Sequence, residues 1–369
     1  AASRGTRTTD VAEPNKAFET AVTEVLPARQ RYLSRVTQQF TLLILLIIIL
    51  AFTLLEGTKF LSIRNFNEIV VDSTQLIVIT IGVTFVIITA GIDLSIGSVL
   101  ILSSVVAAKV MIALSGSPED IANFQFPNQH IGIPVGLLAG VLTGLLCGVI
   151  NGALITRLQM PPFIVTLGML GIALGLGQLL SGGTSVPNVP PAVQTDIGLR
   201  ELVGFDIGDQ HVRITPPIVI AVVIAIIGAF VLNRTRFGRY TYAVGSNAAA
   251  ARRAGIDVDA HLVKVYALCG MLAGVTGSMD LMRFGTASVG SHQSDNLAAI
   301  SAAVIGGTSL FGGIGTIGGS VVGAFIPTVL RNGLVITRVP PFWQNVAIGC
   351  VLILAVYLDQ RRRKAEERI

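Results

Sequence analysis

The chain has 369 residues, of which 52% are hydrophobic and only 13% charged, about half the charged share of a soluble domain. Its mean hydropathy is +0.74, so it reads as an all-α polytopic membrane protein, and a soluble enzyme is excluded. The net charge of +5 does not point to nucleic acid, because the basic residues cluster at the two ends and in one loop, where membrane topology accounts for them.

In chain order, residues 1–39 form a polar, mildly basic arm without a cleavable-signal pattern. Candidate spans follow at 41–55, 69–89, 94–114, 133–155, 163–180, 217–232, 263–281, 296–309, 315–330 and 342–357. These form a membrane domain over 40–358, and 359–369 is a basic tail. Arg29, Arg31 and Arg35 before the first span, and Arg361, Arg362, Arg363 and Lys364 after the last, predict that both ends are cytoplasmic. An even number of crossings is then required, and about ten satisfy it. Arg157 fits a cytoplasmic turn, while 115–130 and 181–215 fall outside. Spans two to five and seven to ten then run in opposite directions, the arrangement of an inverted repeat.

Within the first half, Gly91-Ile92-Asp93-Leu94-Ser95-Ile96-Gly97-Ser98 is an irregular stretch between apolar runs. Two roles fit Asp93: a cap on the following helix, and a functional carboxylate at membrane depth. They are compatible if the capped end faces a translocation path. Lys109 is close enough to its span end to snorkel. The many glycines of 132–152, 168–177 and 306–323 suit close packing of membrane helices. Asn151, Thr166, Gln178 and Ser181 offer hydrogen bonds either to a polar solute or between helices. Phe163 and Phe284 lie near span ends, where packing or interface roles compete with a role along the path. Cys147, Cys269 and Cys350 fall in apolar spans without disulfide or metal spacing.

Residues 233–264 form a basic cytoplasmic loop carrying Arg234, Arg236, Arg239, Arg252, Arg253 and Lys264. The loop encodes a short helix, with Asn247 as N-cap, helix-forming residues from Ala248 to Ala254 and Gly255 as terminator. A helix of about two turns is marginal alone in water, so it is expected to dock on a partner. Further on, Asp280 and Arg283 are spaced to pair on one helix face. Residues 310–316 are glycine-rich, and the flanking spans read as half-helices meeting at a break.

Candidate catalytic or metal sites are missing from the pattern. His130, His211 and His292 fall in external segments and His261 in a cytoplasmic one, with no metal-ligand spacing. No G-x-x-x-x-G-K-[ST] loop occurs, so no nucleotide site of that type is expected. Nor does the sequence show the several mutually placed buried carboxylates and arginines of a proton-coupled carrier. Both points favour energy supplied from outside the chain.

Three patches carry a family resemblance. Residues Gly91 to Ser98 are similar to a G-x-D-L-S-V-G-S signature. Gly238-Arg239-Tyr240, Gly245-Ser246-Asn247, Ala250-Ala251 and Gly255-Ile256 resemble a cytoplasmic coupling segment. Leu297 to Ile300, Gly306-Gly307-Thr308-Ser309-Leu310 and Gly312 to Thr316 resemble a late glycine-rich signature. Together they resemble the permease subunits of bacterial ABC importers for monosaccharides, from about Phe40 to Asp359. The polar arm, the external stretch 117–130 and the alanine-rich coupling helix depart from that pattern. The resemblance implies a homodimer in the cytoplasmic membrane, a cytoplasmic ATPase that binds ATP and Mg, and an extracytoplasmic sugar-binding protein. No cofactor is expected on this chain. The resemblance further implies that Gly238, Arg239, Gly245, Asn247, Ala250, Ala251, Gly255 and Ile256 couple to the ATPase. The candidate solute path comprises Asp93, Ser95, Asn151, Phe163, Thr166, Gln178, Phe284, Gly306, Gly307 and Thr308. Related permeases for nucleosides or signalling sugar derivatives, and a stand-alone carrier or channel, are the alternatives.

Overall fold

The computed structural model describes residues 27–207, 210–340 and 342–366. Residues 1–26 of the predicted arm and 367–369 of the tail lie outside them. Helices form at every predicted span: α1 (Pro27–Glu56), α2 (Ile63–Ile88), α3 (Ile96–Ser115), α5 (Gln129–Arg157), α6 (Pro162–Ser181), α7 (Pro216–Arg234), α10 (Val258–Phe284), α11 (Asp295–Ile305), α12 (Ile317–Ile336) and α13 (Phe342–Glu366). Between them, among the described residues, lie three short α-helices, α4 (Pro118–Ala122), α8 (Arg236–Ser246) and α9 (Ala248–Arg253). Among the described residues, eight helices are long and apolar enough to cross a membrane. With its 11 residues, α11 is about 16 Å long, half of a hydrocarbon core. The helix α1 begins at Pro27, inside the stretch read as polar arm.

Local chemistry sets the helix ends. Ser62 caps α2 by accepting from the Asn65 N–H. Asp257 caps α10 by accepting from the Ala260 N–H at 2.9 Å, and Gly285, at φ 65°, ends it. Thr316 caps α12 through the Gly319 N–H.

The external stretch 181–215 corrects the all-helical expectation in one detail. It contains an antiparallel hairpin of β1 (Val203–Ile207) and β2 (Gln210–Ile214). On this hairpin His211 lies between Asp206, 2.6 Å from Nδ1, and Glu201, 3.0 Å from Nε2. These two bonds, Asp206 first, raise the imidazole pKa above its ordinary 6.5. A raised folded-state pKa stabilises the hairpin fully below 6.5, and that stabilisation is lost as pH rises through the raised value. Amide exchange at Phe205 and Val212, corrected for intrinsic rate, should therefore lose protection at alkaline pH, and His211→Gln should remove the dependence.

The helices α2, α3 and α10 make the centre of the bundle. Val78, Ile79, Ile81, Val83, Val86 and Ile87 of α2 have no exposed surface. By contrast, α1, α6 and α7 turn Leu46, Leu54, Leu179, Ile226 and Phe230 outward, as lipid-facing helices do. One face of α5 carries Gly132, Gly136, Gly140, Gly144, Gly148 and Gly152, spaced four apart. That spacing aligns them on one stripe. The stripe lies directly on the backbones of α3 and α10, meeting Met111, Ala107, Ser103, Gly274, Gly270 and Val263.

The order of long helix, non-helical segment and further helix occurs twice, as α2, 89–95, α3 and as α10, 285–294, α11. The second break therefore precedes α11. The predicted break at 310–316 is a turn between α11 and α12, and its position against α8 gives it a different role.

Candidate functional site

The two non-helical segments meet inside the bundle. Gly97 packs so closely on the second segment that a Cβ there would lie 2.7 Å from the His292 carbonyl oxygen. Asn296 at the start of α11 donates to the Leu94 carbonyl at 3.0 Å. Asp93, only 2% exposed, accepts from the Ser95 N–H at 2.8 Å and the Ser95 hydroxyl at 2.6 Å. These bonds form a turn on the residue just before α3 and not the anticipated cap: the N-cap position of α3 is Ser95, without a side-chain cap. Asn151 of α5 donates to Ser95 Oγ at 3.0 Å, and Thr166 of α6 donates to the Ile92 carbonyl at 3.2 Å. Asp93, Ser95, Asn151 and Thr166 are thus brought into one polar network.

This network has spare hydrogen-bonding capacity. Asn151 Oδ1 and Tyr266 Oη, both buried, have no partner. Tyr266 of α10 stands beside Gly91 and was not anticipated from the sequence. Unpaired buried polar atoms are uncommon and suit a site that hydrogen-bonds a transient polar guest. Other path candidates lie elsewhere. Phe163, Gln178 and Phe284 are exposed and outside the network. Gly306 packs on the backbone of Gly319, and Thr308 faces Ser320, which in turn accepts from Thr84 at 2.7 Å. They fasten α11 to α12 and α2.

The coupling segment is two helices where the sequence reading placed one. Thr235 caps α8 through the Gly238 N–H, and Gly238 lies against the end of α7, where a Cβ would overlap the Leu232 carbonyl. The cap on α9 is the predicted one: Asn247 Oδ1 accepts from the Ala250 N–H at 2.9 Å. Gly255 follows at φ 84°. Ala251 and Ile256 pack with Val244 and Val258, while Arg239 and Ala250 face outward. Arg252 pairs with Asp259.

The second and third patches meet the end of α2 at this end of the bundle. Gly245 at the end of α8 packs directly on the Ile88 carbonyl. That same carbonyl accepts from the Gly313 N–H at 2.8 Å. Tyr242 donates to the Gly315 carbonyl at 2.7 Å, and burial pushes its phenol up to about 12, so it stays a neutral donor. The end of α2, the turn 306–316 and the coupling segment therefore form one contact.

At the opposite end of α10 the structure corrects two expectations. Asp280 and Arg283 do not pair. Asp280 accepts from His292 Nε2 at 2.8 Å, and Arg283 pairs with Asp72 of α2. His292 also reaches Asp295 at 2.6 Å through Nδ1, and Asp295 accepts from Arg331 at 3.2 Å. The buried, mutually placed charges that the sequence did not reveal are thus present.

Comparison with known proteins gives a consistent answer. A family described as "Branched-chain amino acid transport system / permease component" matches residues 65–356. The fructose import permease protein FrcC of Rhizobium meliloti is 34% identical over 96% of this chain and 93% of its own length. The D-allose transport system permease protein AlsC of Escherichia coli is 35% identical over 87% and 90%, and the ribose import permease protein RbsC of Escherichia coli 31% over 87% and 93%. No solved structure matches. Matched over most of its length and across both breaks, the chain belongs to this family of transport-system permease components.

Proposed function

We propose that this chain is the membrane-spanning subunit of an ABC importer that carries a monosaccharide across the bacterial cytoplasmic membrane. It works as a homodimer with a cytoplasmic ATPase, which holds ATP and Mg, and an extracytoplasmic sugar-binding protein. It has no catalytic site of its own. The observation that supports this reading best is the shared contact at Ile88. A displacement of α8–α9 by the ATPase reaches the end of α2 through Gly245 and the 306–316 turn through Tyr242. Each of those elements leads to one of the helices that meet at Asp93 and Asn296. A rigid element with two packings can then alternate access from the two sides. A neutral sugar needs hydrogen bonds without a counter-charge, which the Asn151 and Tyr266 atoms supply.

One observation favours a second reading. The Asp280–His292–Asp295–Arg331 group is what a stand-alone proton-coupled carrier would use. Proteoliposomes separate the two. Import that requires Mg-ATP and the binding protein, and persists with a protonophore, supports the ABC reading, while uptake by the chain alone, abolished by a protonophore, supports the carrier. In the assembled complex, Gly255→Val places a β-branched residue at φ 84°, which costs at least about 1–2 kcal/mol at the end of α9. Uptake per ATP hydrolysed should fall roughly tenfold. Unchanged stoichiometry would show that α9 is not the coupling element.

A further inference from the structure

At the end of the bundle remote from α8–α9, charged side chains from α2, α10, α11, α12 and segment 285–294 form two tiers. In the inner tier, His292 bridges Asp280 and Asp295, all with little exposed surface. The outer tier is open to solvent. Asp72 is 42% and Arg331 44% exposed along their side chains, and Glu68 lies 4.0 Å from Arg283. Arg283 lies over the ring of Phe284, 5.3 Å from its centroid. Its Nη1 is buried without a hydrogen-bond partner. Phe284 is itself half exposed.

The position of these groups decides what the open side faces. Asp72 lies three residues, about 5 Å, inside the span predicted to begin at 69, below the first turn of α2, where the Arg64 N–H donates to Gln210 of the hairpin. Charged side chains near a span end face water, headgroups or a water-filled cavity, because hydrocarbon excludes them. The exposed side of Asp72 and Arg331 therefore opens to water at the outer end of the bundle. Across the two tiers four carboxylates meet two guanidiniums and one imidazole. That balance disfavours an anionic solute such as a phosphorylated sugar.

We infer that this outer tier is a binding site for an uncharged polyhydroxylated solute entering the permease. Asp72 and Glu68 accept hydrogen bonds from its hydroxyls. Arg283 and Arg331 donate their planar forks to neighbouring oxygens. Phe284 presents its ring to the apolar C–H face of the solute. The inner tier holds the arginine of α12 and the start of α11 in place through Asp295. The site rests on the importer reading above and adds the permease's own selection to that of a binding protein.

The test is import kinetics in proteoliposomes holding the complete complex, with radiolabelled fructose, galactose, allose and ribose as probes. For whichever sugar the wild type imports, Asp72→Asn and Arg331→Gln should raise KM about tenfold, the usual weight of a charge-assisted hydrogen bond, with a smaller fall in kcat. Arg331→Lys should recover part of the affinity. Phe284→Ala, at a half-exposed position that does not endanger folding, should raise KM severalfold. An unchanged KM in Phe284→Ala, or loss confined to kcat in the charge variants, overturns the site and leaves the importer reading standing. A wild-type complex that imports none of the four sugars brings down both together.

Discussion

A complex carrying Gly245→Ala should lose most of its solute uptake while the permease still assembles with its partners. The reason is local. An added Cβ at Gly245 would overlap the Ile88 carbonyl oxygen and lie 2.8 Å from the Gly313 nitrogen, and neither backbone can yield like a flexible side chain. The α8 end must then back away from α2, which costs about 1–3 kcal/mol of packing and breaks the contact that joins the coupling segment and the 306–316 turn to the end of α2. The Ile88 carbonyl also holds Gly313, so the turn between α11 and α12 loosens with it. We expect uptake to fall about tenfold or more, with ATP hydrolysis no longer stimulated by solute. Uptake assays run beside size-exclusion of the assembled complex separate coupling from assembly. Wild-type uptake in Gly245→Ala would refute the mechanical link.

The sequence makes some of this legible because the physical cause is local. Apolar runs gave the ten helices, since a span needs only length and hydrophobicity. The Asn247 cap and the Gly255 stop gave α9, since both act within one turn. Features set by tertiary meeting are not legible. Asp280 lies one helix end and a non-helical segment away from His292, and Arg331 joins them only because α11 and α12 pack together. The i+3 spacing of Asp280 and Arg283 suggested a pair, but Asp72 of α2 competes successfully for the arginine. The hairpin could have been found, because Gly208-Asp209 separates two short runs containing Val203, Phe205, Val212 and Ile214, a recognisable hairpin signal. The helix α8 is short and charged, and its inward residues Phe237, Thr241 and Val244 mark a face only once its neighbours are known.

The second large effect concerns the glycine stripe of α5. Alanine at Gly144 would place a methyl group into the Gly270 carbonyl, within 2.7 Å of the Gly274 backbone, and alanine at Gly270 would do the reverse to Gly144. In lipid there is no hydrophobic drive to hold helices together, so α5 and α10 depend on close backbone packing. Separating them by the width of a methyl group also disturbs Gly140 and Gly148, which sit on the same two helices. We expect Gly144→Ala to destabilise the detergent-solubilised chain by at least about 1–3 kcal/mol and Gly144→Ala/Gly270→Ala to leave little folded protein. The same substitution at Gly171 of α6, where a Cβ would meet nothing within 4 Å, should leave stability equal to or slightly above wild type, because alanine favours helix by up to about 1 kcal/mol over glycine. Thermal unfolding of the three variants side by side measures the difference. Equal melting of Gly144→Ala and Gly171→Ala would mean that helix propensity, and not the α5–α10 contact, governs these glycines. The Asn151 donor and the Tyr266 hydroxyl stand on these same two helices, so a loss of the contact would also disperse the polar network around Asp93.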